Sequence, residues 1–169
     1  MMSSLSEVIS DPVRLAALWR ITIAQGPGRN PFDHLACTAA QTLGAPMAVV
    51  TLVEEDRQYF AGLNGMPEAW ADRRELPAAW GFCPFALALH GPLMLPDVTV
   101  RPEFASNPIV RELSVSAYAG VPLLAGPARP IGTLSVLDAK ARMWTGEDAR
   151  TLSDLCANAV VAVSEVAST

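Results

Sequence analysis

The chain has 169 residues, enough for one domain and little more. Its 12 basic and 17 acidic residues give a net charge of −5, and 51% of residues are hydrophobic against 17% charged. This balance argues against a disordered chain and, because the cations are few and scattered, against a nucleic-acid partner. No stretch reaches the ~18 apolar residues of a membrane span, and MMSSLSEVIS lacks the basic and apolar regions of a secretion signal. Cys37, Cys83 and Cys156 lie too far apart for a CxxC site, and an odd count suits a reducing compartment. The expected location is the cytoplasm. With His34 and His90 as the only histidines, no metal centre is expected.

Residues 1–10 read as a tail. Asp11-Pro12 opens a helix, the Asp able to cap and the Pro occupying a position that needs no amide donor. Its apolar stripe is Leu15, Leu18, Trp19 and Thr22 or Ile23, and Gly26-Pro27-Gly28 ends it. Asn30-Pro31 opens a second helix, PFDHLACTAAQTL, with Asp33 favoured by the dipole of the first turn and Gly44 as its C-cap. MAVVTLV is almost wholly apolar and rich in β-branched residues, as expected of a strand buried on both faces. EEDR then turns into QYFAGLN, so residues 46–63 form an antiparallel hairpin.

From Gly65 to Trp80 the mixed polarity predicts a long ordered loop. Cys83-Pro84 starts a short helix ended by Gly91, PLMLPDV is a short strand, and residues 107–113 form a helix begun by Asn107-Pro108. SAYAGVPLL and PIGTLSVLD form a second hairpin around GPAR. Thr145 and the carboxylates of Glu147 and Asp148 start the last helix, whose apolar stripe is Leu152, Leu155, Cys156, Ala159, Val160 and Val163. This order is an α+β plan around an antiparallel sheet.

FDHLACTAAQTLGAPMAVVTLVEEDRQYF, PEFASNPIVRE, YAGVPL and GTLSVLD with its acid-capped helix resemble the GAF domain, from about Leu15 to Val163. The likeness is to the type found near the N-terminus of bacterial sensor kinases and cyclic-nucleotide signalling proteins. It implies a sheet of about six strands, within the usual range, with helices against it and a small-molecule pocket between the sheet and its covering loops. It also implies terminal helices, about 12–24 and 145–166, that pair into a homodimer and signal to a separate effector. Residues 11–166 are then one domain, with short tails at 1–10 and 167–169. Because the chain stops at Thr169, a stand-alone module or a fragment is expected. The same terminal helices can instead dock on the sheet.

The resemblance leaves the ligand open, so the residues must decide. Pro84 is expected to hold Cys83 extended before a helix, where the dipole makes a thiol easier to ionise. The alternative is a buried thiol packing as a small hydrophobe. Relatives often carry a His two residues after this Cys; Phe85 stands there in this chain, which removes a neighbour for a tetrapyrrole, haem or catalytic role. The free methionine-R-sulfoxide reductases of this family imply another alternative, with Cys83 as the nucleophile of a redox sensor or reductase. Cys37 and Cys156, on predicted helices, are poorly placed to resolve a sulfenate. Arg73 and Arg74 stand with Asp72 and Glu75 as a solvated cluster, not a phosphate site.

What remains is a mostly apolar wall of Trp70, Trp80, Phe82, Phe85 and Tyr118, with hydroxyls from Thr133 and Ser135 and an acid at Asp97. Asp97 alternatively caps a turn, and the aromatics alternatively fill a core. The sequence names no cofactor. Its residues and resemblance together predict a non-catalytic sensory or regulatory module for a small, largely apolar or aromatic ligand. A degenerate fold serving only dimerisation is a further alternative.

Overall fold

In chain order, α1 is Leu5–Ile9, α2 Pro12–Ala24 and α3 Pro31–Leu43; β1 is Met47–Val53 and β2 Arg57–Asn64. Next come α4 at Glu68–Arg73, β3 at Glu75–Pro77, α5 at Cys83–Leu89 and β4 at Leu93–Leu95. A 3-10 turn at Val98–Val100 leads to α6 at Pro102–Ala105 and α7 at Pro108–Glu112, and the chain closes with β5 at Ala117–Leu124, β6 at Pro130–Asp138 and α8 at Gly146–Ser168. This computed structural model describes the backbone of residues 4–24, 31–126 and 129–168, and the side chains of these except 21–24 and 159–168. The expected helix stop at 26–28, the cap at Asn30 and the stripe positions Thr22, Ile23, Ala159, Val160 and Val163 lie outside the described residues or side chains.

The fold is α+β, built on a six-stranded antiparallel sheet ordered β3-β2-β1-β6-β5-β4. Every residue of β1 is buried, as its apolar run requires of a central strand. Register divides the sheet into two faces. Thr51 pairs with Thr133, Val49 with Ser135 and Met47 with Leu137, while Tyr118 and Gly120 of β5 oppose Leu137 and Ser135. Those residues share one face. The alternate positions Ala48, Val50, Leu52, Leu134, Val136, Ala119 and Val121 form the other, where Leu18 of α2, the buried side of α3, and Leu152 and Cys156 of α8 pack against them. The described parts of the terminal helices therefore dock on the sheet.

Helix starts follow the local chemistry. Asp11 Oδ1 accepts from the Val13 amide, Asn107 Oδ1 from the Ile109 amide, and Thr145 and Asp148 exchange two bonds in a capping box. Gly44, at φ +64°, lies just past α3 as its C-cap requires. Asp33 does more than favour a dipole: it accepts from the Leu63 amide at 3.0 Å and so ties α3 to β2.

Three expectations need correction. The segment 65–80 is not a loop throughout, since α4 and β3 occupy much of it. Arg74, in the left-handed region at φ 53°, ends α4 while its guanidinium donates to the Phe60 carbonyl at 3.2 Å. Trp19 is 64% exposed, and Arg14, 2% exposed, is buried alongside the expected Leu18. Arg14 donates to the carbonyls of Val8 (2.9 Å), Ile9 (2.7 Å) and Val53 (2.7 Å). Finally, the N-terminal segment 5–9 is a helix with a Ser4–Glu7 capping box, and its Val8 is buried with Val53, Cys83, Leu87 and Ala88.

Candidate functional site

The second sheet face is covered by α4, α5, α6 and α7, and between face and cover lies a cavity of about 30 Å³. Val49 and Thr51 of β1, Gln58 and Phe60 of β2, and Tyr118, Ser135 and Leu137 of β5 and β6 form its floor. Met66, Leu76, Gly81, Phe82, Cys83, Ile109 and Leu113 form its roof. A space of this size holds one water, so anything larger enters only when the roof moves.

Polar groups concentrate at one end. Tyr118 Oη lies 2.8 Å from Ser135 Oγ, Ser135 Oγ 3.2 Å from Thr133 Oγ1, and Thr133 Oγ1 donates to Cys83 Sγ at 3.1 Å. Gly120 makes room for this arrangement, because any Cβ there would collide with Tyr118 Oη and crowd Ser135 Oγ. Gln58, fully buried, is the remaining amide side chain in the wall. Its Nε2 donates to the carbonyls of Ala78 (3.0 Å) and Trp80, so the amide is fixed with its oxygen turned away from them. Gln58 Oε1 is buried and has no partner among the described residues.

Cys83 is the first residue of α5, not an extended residue before it. The expected activation of its thiol is also not what the structure gives: the residue is 6% exposed, and burial pushes its pKa up against the opposing hydrogen bond from Thr133. Burial likewise holds the Tyr118 phenol well above its ordinary value, with Cys83 adding to the effect.

The structure thus brings Phe82, Cys83, Tyr118 and Ser135 to the cavity wall, with Thr133 bonded to two of them. Trp70 is buried in the same apolar cluster, and half-buried Trp80 packs against it and supplies a carbonyl to Gln58, but neither lines the cavity. Phe85 turns to an outer groove beside Leu5, Ile9 and Pro84. Asp97 is elsewhere, capping the 3-10 turn through the Thr99 amide. Arg73 lies over the Trp70 ring, and Arg74 is engaged by Phe60 and by Asp33 at 3.7 Å.

Gln58 and Thr51 carry no functional signal in the sequence beyond their strand alternation: each is a polar residue on the face that also holds Phe60 and Val49. Asn107 does double duty, since besides capping α7 it accepts from the Gly81 amide at 2.9 Å and donates to the Gly81 carbonyl at 3.0 Å. The roof is thereby pinned to α7. Among the described residues no group of three potential ligands could hold a metal ion, and no helix is long and apolar enough to cross a membrane.

A family model described as the GAF domain matches residues 30–163. A cyclic di-GMP phosphodiesterase of Pseudomonas aeruginosa is 30% identical over 112 residues, covering 66% of this chain and 18% of that protein. Among solved structures, the GAF domain of an Acinetobacter phosphoenolpyruvate-protein phosphotransferase aligns with a TM-score of 0.67 at 16% identity, over 94% of this chain and 97% of that one. A type II free methionine-R-sulfoxide reductase from Thermoplasma acidophilum aligns at 0.65 and 17% identity, over 87% and 96%. At these identities the two structural matches speak for the fold.

Proposed function

Since the chain belongs to the GAF domain family, and is a sensory or regulatory module in that general sense, we propose that it binds a small, largely apolar or aromatic molecule between the sheet and its roof. The supporting observation is the cavity, apolar on most sides, with a buried hydroxyl–thiol cluster and an unused acceptor in its wall. Binding displaces the roof, and the displacement reaches α1 because Cys83, Leu87 and Ala88 of α5 pack against Val8. α8 contributes Leu152 and Cys156 to the opposite sheet face and is the second route outward.

The module acts by binding, not by catalysis; the buried thiol of Cys83 favours that reading over a redox one. Its partner is an effector. The Pseudomonas relative is much longer than the part this chain matches, and regulation of a larger protein's activity is what we carry over from it. A cyclic dinucleotide itself suits this cavity poorly, because among the described residues no cation lines it.

Native mass spectrometry of the protein purified from its own host tests the proposal. A stoichiometric small-molecule adduct that leaves on denaturation is expected. Ligand-free protein with an oxidised Cys83 favours the redox reading, and ligand-free, unoxidised protein that no member of an apolar library stabilises against heat overturns both.

A further inference from the structure

We propose that the cavity selects an uncharged ligand by demanding a hydrogen-bond donor, and that Gln58 is the residue that makes the demand. This rests on the ligand-binding reading above and adds the chemical class. The two carbonyls on Gln58 Nε2 fix which way the amide points, because an amide turned the other way would set its oxygen against two acceptors. The cavity therefore receives Oε1, an acceptor, fully buried and without a partner among the described residues. The hydroxyls of Tyr118, Ser135 and Thr133 are engaged with one another and with Cys83 Sγ. Among the described residues no cationic side chain lines the space.

A water in the closed cavity can donate to Oε1, and a molecule that displaces such a water must replace its donor or leave the acceptor unpaired. An acceptor-only anion such as a carboxylate meets the carbonyl oxygen of Gln58 with no cation to offset it. A flat apolar molecule with one N–H or O–H meets each requirement once the roof moves to admit it: its rings then lie against Val49, Phe60, Phe82 and Leu137, and its donor faces Gln58. Aromatic N–H heterocycles and lactams are the class.

The test uses indole and benzofuran, which share a shape and differ in the N–H, with benzoate as the acceptor-only anion. Each is titrated into the intact chain by calorimetry and by NMR of the Gln58 side-chain amide. Indole is expected to bind about tenfold or more tighter than benzofuran, to shift the Gln58 amide resonances, and to leave benzoate far behind. In Gln58→Met the indole preference should shrink to about twofold. That variant also releases the Ala78 and Trp80 carbonyls, so the ratio in the unsubstituted protein is the primary readout. Equal binding of indole and benzofuran, with no shift at Gln58, overturns the donor requirement and leaves the binding reading standing. Binding of none of the three, up to their solubility limits, removes the apolar-ligand reading and this inference together.

Discussion

Replacing Arg14 with Met isolates what one buried cation contributes to holding the N-terminal helix in place. The side chain is 2% exposed, and its three hydrogen bonds join the C-terminal end of α1 to the last residue of β1. Methionine fills a similar volume but donates to none of the carbonyls. The bonds to Val8 and Val53 are buried; the Val8 carbonyl keeps a long bond from the Asp11 amide at 3.5 Å, and a buried acceptor left unpaired costs about 1–3 kcal/mol. The bond to Ile9 is only part-buried, so that carbonyl can turn to water. Against these losses stands the relief of a buried charge: burial lowers the pKa of Arg14, with Asp11 opposing it, and removing the charge recovers part of that desolvation. The net expectation is a loss of about 2–3 kcal/mol, which at a urea dependence of about 2 kcal/mol per molar lowers the unfolding midpoint by about 1–1.5 M. Tryptophan fluorescence in urea measures the midpoint, and hydrogen exchange at Leu5–Ile9 reports whether α1 is released. Arg14→Lys should recover only part of the loss, because one ammonium cannot reproduce the guanidinium fork. A midpoint within about 0.3 M of the unsubstituted protein, with α1 protection unchanged, would refute the reasoning.

Three other outcomes follow from the packing. Gly62→Ala drives a Cβ into the Phe32 carbonyl where α3 crosses β2, and calorimetric or urea unfolding should show a loss of about 1–3 kcal/mol or more; an unaffected midpoint would mean the helix can ride higher on the sheet. Cys156 titrates near 9 when unfolded and is pushed up to about 12 by burial in the fold. The folded state therefore binds more protons between those values, so its stability contribution is complete below pH 9 and is lost as pH rises toward 12, by about 1.4 kcal/mol per pH unit. Cys83 acts in the same direction, and Cys156→Ala should flatten the slope by its share; an unchanged slope in that variant contradicts the burial. In native protein a thiol reagent should modify half-exposed Cys37 quickly and buried Cys83 and Cys156 only with unfolding, an order that a fast Cys83 would reverse.

The sheet and the helices α3 and α8 were legible because long apolar runs and capped starts carry strong periodic signals. α4 and β3 were not, since six and three residues of mixed polarity are too short for a period to emerge. The stop between them is an arginine in the left-handed region, not a glycine or proline, and what accompanies it is a bond to Phe60 from another element. In α2 the apolar stripe drew Trp19 inward, but Arg14 takes a buried place because its acceptors come partly from Val53, 39 positions away. No local pattern announces such partners.

The site was partly legible for a related reason. The alternation of Thr133 and Ser135 along β6 placed both on the face that the candidate cavity adjoins, and of the five named aromatics Phe82 and Tyr118 line it. Which aromatics touch the cavity depends on the direction each leaves its element: Phe82 and Phe85, three positions apart, both pack on Phe104, yet Phe82 lines the cavity and Phe85 the outer groove. Gln58 escaped because glutamine in a hairpin strand is ordinary until its neighbours are known to be two carbonyls.

Both margins of the sheet are three-residue strands: β3 ends in Pro77, and β4 lies between Pro92 and Pro96. A margin that short, closed by residues without an amide proton, offers a foreign strand almost nothing to continue. The abundance of proline that punctuates this chain thus also stops its sheet from growing, and copies that associate must meet through helices and loops, where contacts are set by side-chain shape and charge.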